Sequence, residues 1–144
     1  MAEPTIDRRP PVSGATRLAA VIGDPVRHSL SPTLMGAAFA ETGLDWTFVA
    51  LEVADGSARG ALDGMRALGI SGLSVTMPHK AAVAAVVDRC TDDAAALGAV
   101  NCVVVEEGQL VGYNTDGGGF LDGLAHDSGM DVNGRRVVVL GAGG

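Results

Sequence analysis

Positive charge and aromatic side chains are scarce in this sequence of 144 residues, and no long apolar run interrupts it. Ten Lys and Arg stand against 17 Asp and Glu, a formal net charge of -7. That is the wrong sign for a chain that grips phosphate backbones, so nucleic acid is not an expected partner. With Trp 1, Tyr 1 and Phe 3 beside 22 Ala, 18 Val and 21 Gly, the core must be built from small side chains, which favours close backbone packing in an α/β sheet over an aromatic-rich sandwich. No stretch approaches the roughly 18 apolar residues that span a bilayer. The first 16 residues hold Pro4, Pro10, Pro11 and the Arg8-Arg9 pair without the apolar run of a signal peptide. They read as a flexible tail on a soluble chain with no membrane partner. Cys90 and Cys102 form no Cys-x-x-Cys or Cys/His cluster, and His28, His79 and His126 lack ligand spacing. No metal is expected, and both thiols read as reduced and buried in a cytoplasmic protein.

What is present is enough for one domain: 47% of the residues are hydrophobic. Residues 17–23 form an apolar run closed by Gly23-Asp24-Pro25, a buried strand and its turn. Ser31-Pro32 supplies an N-cap and a proline at the first helical position, and Leu34, Met35, Ala38 and Phe39 recur at helical spacing until Gly43. Strand 46–53, helix 57–68, strand 70–77, a helix from Pro78 to Val87 and a short helix 92–97 continue a βαβ rhythm. Strands 99–106 and 109–113 are separated only by Glu107-Gly108, a hairpin that makes one strand antiparallel. A Gly-rich helix follows Asn114-Thr115-Asp116 to about Ala125, and Asn133-Gly134 turns into a predicted buried strand at 135–140 ending in Gly141-Ala142-Gly143-Gly144. The expected fold is therefore α/β, a mixed, mostly parallel sheet flanked by helices over 17–128. Residues 129–144 read as a linker and the first strand of a truncated Rossmann-type domain, whose glycines let the backbone approach a pyrophosphate.

Lys80 is the one lysine among nine arginines. It follows a predicted strand, the edge at which ligands gather in open α/β sheets, and its ammonium can exchange a proton as a guanidinium does not. A solvated lysine at a helix start is the plainer reading. Asp116 occupies the matching place after another strand and could equally be a helix N-cap. Gly117, Gly118 and Gly119 weaken the turn after it, an odd choice unless something approaches the backbone there. Ser29 and Ser31 flank Leu30, so in an extended stretch both hydroxyls point one way beside a helix N-terminus, a small anion site. Capping and loop filling would explain them too. Asn101 lies within the apolar run 99–105 and needs buried partners for its amide; Thr76, ahead of Met77-Pro78, doubles as a strand former.

Taken in order, Gly23-Asp24-Pro25 with His28-Ser29-Leu30-Ser31-Pro32, Ser74-Val75-Thr76-Met77-Pro78-His79-Lys80, Gly98-Ala99-Val100-Asn101, Gly112-Tyr113-Asn114-Thr115-Asp116-Gly117 and Gly141-Ala142-Gly143-Gly144 closely resemble the shikimate dehydrogenase family. The resemblance implies NADP-linked interconversion of 3-dehydroshikimate and shikimate, by a substrate domain and a Rossmann-type cofactor domain with the site between them. It implies that Ser29 and Ser31 hold the substrate carboxylate, that Thr76, Lys80, Asn101 and Asp116 line the ring hydroxyls and the reacting oxygen, and that Lys80 and Asp116 are the catalytic pair. Asp92, Gly141, Ala142, Gly143 and Gly144 match cofactor-facing positions. Ser74 departs from the asparagine of many members, and His79 from a common aromatic or small residue. A substrate domain alone is expected to be inactive, and its assembly stays open between monomer and homodimer. A quinate/shikimate dehydrogenase and a non-catalytic shikimate-binding module are the alternatives.

Overall fold

A computed structural model describes residues 11–141. Its strands are β1 (Arg17–Gly23), β2 (Trp46–Glu52), β3 (Gly72–Val75), β4 (Arg89–Cys90), β5 (Cys102–Glu106) and β6 (Gln109–Tyr113). The helices are α1 (Ser31–Thr42), α2 (Ala58–Ala67), α3 (Lys80–Ala84), α4 (Asp92–Leu97) and α5 (Asp116–Ser128). The six strands make one sheet in the order β2-β1-β3-β5-β6-β4. β5 alone runs against the others: it is antiparallel to β3 and β6, while β1 pairs with β2 and β3, and β4 with β6, in parallel. The mixed, mostly parallel sheet expected from the sequence is thus observed, with the hairpin at Glu107-Gly108.

β1 shows why the sheet needs helices on both faces, since successive side chains of a strand point to opposite sides. Ala20 and Ile22 join Leu62 and Met65 of α2, Val83 of α3 and Ala94 of α4 in one buried cluster. Ala19 and Val21 join Val26, Phe48 and Phe39 of α1 in the other. Two glycines permit close approaches inside this packing. A Cβ on Gly23 would lie 2.5 Å from Thr76 Cγ2, and one on Gly112 would lie 2.6 Å from Val100 Cγ2.

Several boundaries differ from the sequence expectation. The helix expected to run from Pro78 to Val87 is the five-residue α3, because the 76–79 turn occupies its first turn. β4 was not foreseen; two residues are too short for any periodicity. Ser31 is the first residue of α1 and its N-cap is Leu30. Thr115, not Asp116, is the N-cap of α5. The buried strand expected at 135–140 is not formed: Val137, Val138, Val139 and Leu140 are 64%, 85%, 77% and 96% exposed. A strand needs a neighbour for its N–H and C=O groups, and no strand among the described residues lies beside this stretch. Nearer the start, Ser13 and Thr16 close a turn held by the Thr16 hydroxyl, which donates to Asp45 at 2.7 Å. No helix among the described residues is long and apolar enough to cross a membrane.

Candidate functional site

Strand direction brings the chemistry to one edge. The carboxyl ends of β1, β3, β4 and β6 point the same way, and because β5 is reversed, the residue that precedes it shares that edge. Ser29 and Ser31 follow β1, Thr76 and Lys80 follow β3, Asn101 precedes β5, Asp116 follows β6 and Asp92 follows β4. The central three strands of this group, β3, β5 and β6, are adjacent.

Asn101 is the fixed point. Its backbone is clamped between strands, its N–H donating to Tyr113 O at 2.9 Å and its carbonyl accepting from Val75 N–H at 2.7 Å. Its side-chain oxygen accepts from Thr115 N–H at 3.0 Å, which fixes the amide's orientation. The amide nitrogen then donates to Thr115 Oγ1 at 2.9 Å and to Asp116 Oδ1 at 2.8 Å. Asn114 supports the same turn, accepting from Asp116 N–H at 3.1 Å and donating to Ala99 O at 3.0 Å. The other oxygen of Asp116 accepts from Lys80 Nζ at 2.7 Å. Three of the expected residues, Lys80, Asn101 and Asp116, are therefore joined directly.

The Lys80 hydrogen bond holds the Asp116 carboxyl below the usual carboxylate range, helped by the Asn101 amide and opposed by partial burial. Side-chain exposures of 34% for Lys80 and 52% for Asp116 leave both reachable by a ligand. An ammonium has three donors and one is used, so two N–H groups remain for an approaching oxygen.

Among the described residues, none of the other expected ones hydrogen-bonds to this cluster. Thr76 is half-buried with its methyl against Gly23 and its N–H donating to Ile22 O at 3.0 Å. Ser29 and Ser31 are half-buried one strand away; Ser31 N–H donates to Ser29 Oγ at 3.2 Å, and α1 has no side-chain cap, so Ser31 does not do the capping expected of it. Asp92 is exposed at the start of α4. Gly141 has φ of 92°, a conformation that suits glycine, while Ala142, Gly143 and Gly144 lie outside the described residues. A pyrophosphate cradle needs strand, glycine turn and helix N-terminus together. Among the described residues Gly141 follows an unpaired stretch, so they do not form that cradle. Nor does any group of three His, Cys, Asp or Glu among them suit a metal ion. A cavity of about 350 Å³ lined by Arg17, Met65, Arg66, Ile70 and Leu110 opens at the opposite sheet edge and shares no residue with the cluster.

Sequence reading missed Thr115 and Asn114, although an Asn-Thr-Asp turn before a helix is a usable signal for local side-chain-to-backbone bonding. It also left His79 unassigned. That imidazole is fully buried, and its Nε2 lies 2.7 Å from Val53 O.

Residues 21–103 match the shikimate dehydrogenase substrate binding domain family. The chain is 50% identical over 133 residues to the shikimate dehydrogenase (NADP(+)) of Geobacter metallireducens, covering 92% of this chain and 46% of that protein. It thus spans about half the length of the curated relatives it matches. Shikimate 5-dehydrogenase from Listeria monocytogenes, solved in complex with shikimate and NAD, superposes with a TM-score of 0.80 at 39% identity, covering 85% of this chain and 42% of that one. The 5-ketofructose reductase of Gluconobacter sp. strain CHM43 superposes with a TM-score of 0.75 at 31% identity, covering 81% and 42%. Since the family match extends over more than half of the sequence, the chain belongs to the shikimate dehydrogenase family, through that family's substrate-binding domain.

Proposed function

We propose that this chain supplies the substrate-binding half and the acid–base pair of an NADP-dependent shikimate dehydrogenase, which reduces 3-dehydroshikimate to shikimate reversibly. The observation that carries the proposal is the Lys80–Asp116–Asn101 cluster on the carboxyl edge of the sheet. NADP, named for the Geobacter metallireducens relative, supplies hydride chemistry when bound. The chain's own residues act on the substrate. Reducing a ketone places negative charge on its oxygen, and the two remaining Lys80 N–H groups can stabilise that charge and deliver the proton. Asp116 keeps the ammonium aimed, and Asn101 keeps Asp116 in one rotamer. Thr76, Lys80, Asn101 and Asp116 line the ring hydroxyls, and Ser29 and Ser31 receive the carboxylate. Asp92 and the glycine turn from Gly141 face the cofactor in the longer enzyme. Two free thiols, Cys90 and Cys102, suit a cytoplasmic setting.

Titration calorimetry of shikimate into the chain tests the binding half of this reading. Wild-type chain should bind weakly, and Asp116→Ala and Ser29→Ala should each weaken binding about tenfold, the loss of one hydrogen bond to a charged group. Affinity unchanged by both substitutions would contradict it.

A further inference from the structure

His79 is the one polar side chain fully buried among the described residues, and it lies next to Lys80. Its ring nitrogen Nε2 is 2.7 Å from Val53 O, so the proton sits on Nε2 and the imidazole donates. Nδ1 is buried and has no hydrogen-bond partner. The contact closes a circuit across three strand ends. Val53 N–H donates to Gly23 O at 3.1 Å, Asp24 N–H to Met77 O at 3.0 Å, and Thr76 N–H to Ile22 O at 3.0 Å. His79 N–H donates to Thr76 O at 3.0 Å and its carbonyl accepts from Val83 N–H at 2.8 Å, so its backbone shapes both the turn after β3 and the body of α3. Backbone bonds join the ends of β1 and β2 to each other and the end of β1 to the turn. Of the hydrogen bonds among the described residues, only that of the His79 side chain ties the Lys80 turn to the segment after β2.

We propose that His79 is a positioning residue: by donating Nε2–H to Val53 O it holds the turn that carries Lys80, and thereby keeps the ammonium on Asp116. A short helix of five residues has little stiffness of its own to do this. The catalytic consequence rests on the function proposed above, whereas the geometric one does not.

The test reads the Asp116 carboxyl directly, by carbon-13 NMR titration of the chain. His79→Phe keeps an apolar ring of similar size and removes the donor. His79→Gln returns a donor at the place of Nε2, and His79→Asn reaches only the place of Nδ1. Lys80→Met marks the titration of Asp116 without its partner. In His79→Phe and His79→Asn the Asp116 midpoint should move up toward that of Lys80→Met. In His79→Gln it should stay at the wild-type position even as Tm falls, because the amide's extra polar atoms are buried without partners. A wild-type midpoint in both His79→Phe and His79→Asn would overturn the proposal. So would a midpoint that tracks Tm across all three variants, since that is what a purely structural role gives.

Joining residues 1–144 to the remaining half of the Geobacter metallireducens relative supplies the second readout. There His79→Phe should lower kcat about tenfold to a hundredfold with little change in KM, and His79→Gln should restore it. If the NMR shifts appear but Lys80→Met leaves turnover intact, the proposed function fails and the positioning role stands.

Discussion

A single ion pair on an open edge does little for stability, and Lys80 and Asp116 illustrate this. Exposed pairs contribute about 1 kcal/mol or less, so Lys80→Met should barely change urea unfolding near neutrality while turnover in the joined enzyme falls about a hundredfold or more. The pH dependence has a definite sign. Asp116 binds its proton less readily folded than unfolded, so its contribution is present above the ordinary carboxylate value of 3.8 and is lost as pH falls through the lower folded value. The small stability gap between wild type and Lys80→Met should therefore close in that acid window; a gap that persists below it would contradict the assignment. Asp88 behaves likewise, held low by the Arg66 guanidinium and the Leu110 N–H, so acid sensitivity should survive in Lys80→Met. At Gly23, Ala should cost about 1–3 kcal/mol by overpacking, since its methyl would meet Thr76 Cγ2 at 2.5 Å and Met77 O at 3.1 Å. An unchanged urea midpoint in Gly23→Ala would refute that contact. Lys80 was legible as the lone ammonium in an arginine-using chain. His79 was not, because a buried imidazole is defined by a carbonyl 26 positions away in sequence.

Elements with strong periodicity or punctuation were the readable ones. β1, α1, β2 and α2 lie within a residue or so of their expected bounds, since each is a run of apolar spacing closed by Gly or a turn. α3 was overextended because the Ala/Val-rich run after Lys80 carries helix-compatible residues past the point where the chain turns toward β4. The β5–β6 hairpin was read from its two-residue turn, and the structure shows the conformational cost there. Glu107 has φ of 50° and Gly108 has φ of 81°, the pairing of a primed turn that prefers Asn at its first position. Glu107→Asn should raise stability by about 0.5–1 kcal/mol, relieving a left-handed residue with a side chain that tolerates it. Thermal unfolding checks it, and a lower Tm in the variant would speak against the turn geometry. In α5, open space surrounds Gly117, Gly118 and Gly119. Gly118→Ala should thus stabilise the helix by about 1 kcal/mol, and circular dichroism of the isolated chain should show no loss of helix.

Taken as a whole, the molecule leaves apolar side chains exposed in α5 and in the stretch that follows it. No residue of α5 is buried, with Phe120 69% and Leu121 47% exposed, and the Val137–Leu140 stretch lies open as well. Amide exchange at Val137, Val138 and Val139 should run at the rate of an unstructured peptide; strong protection in a dilute sample would mean that the stretch has found a partner. The expectation of a buried strand there failed for a physical reason: periodicity reports which residues could fill a strand, while burial depends on what lies next to it. The site was legible to a greater degree, because sheet polarity alone sends Ser29, Thr76, Lys80 and Asp116 to one edge. Only the reversal of β5 explains why Asn101 joins them. The central claim is that Lys80 and Asp116 act on the reacting oxygen. Steady-state kinetics of shikimate oxidation with NADP, in residues 1–144 joined to the remaining half of the Geobacter metallireducens relative, tests it most directly. Lys80→Ala should lower kcat at least about a hundredfold while KM for shikimate changes only severalfold, and an undiminished kcat would contradict the claim.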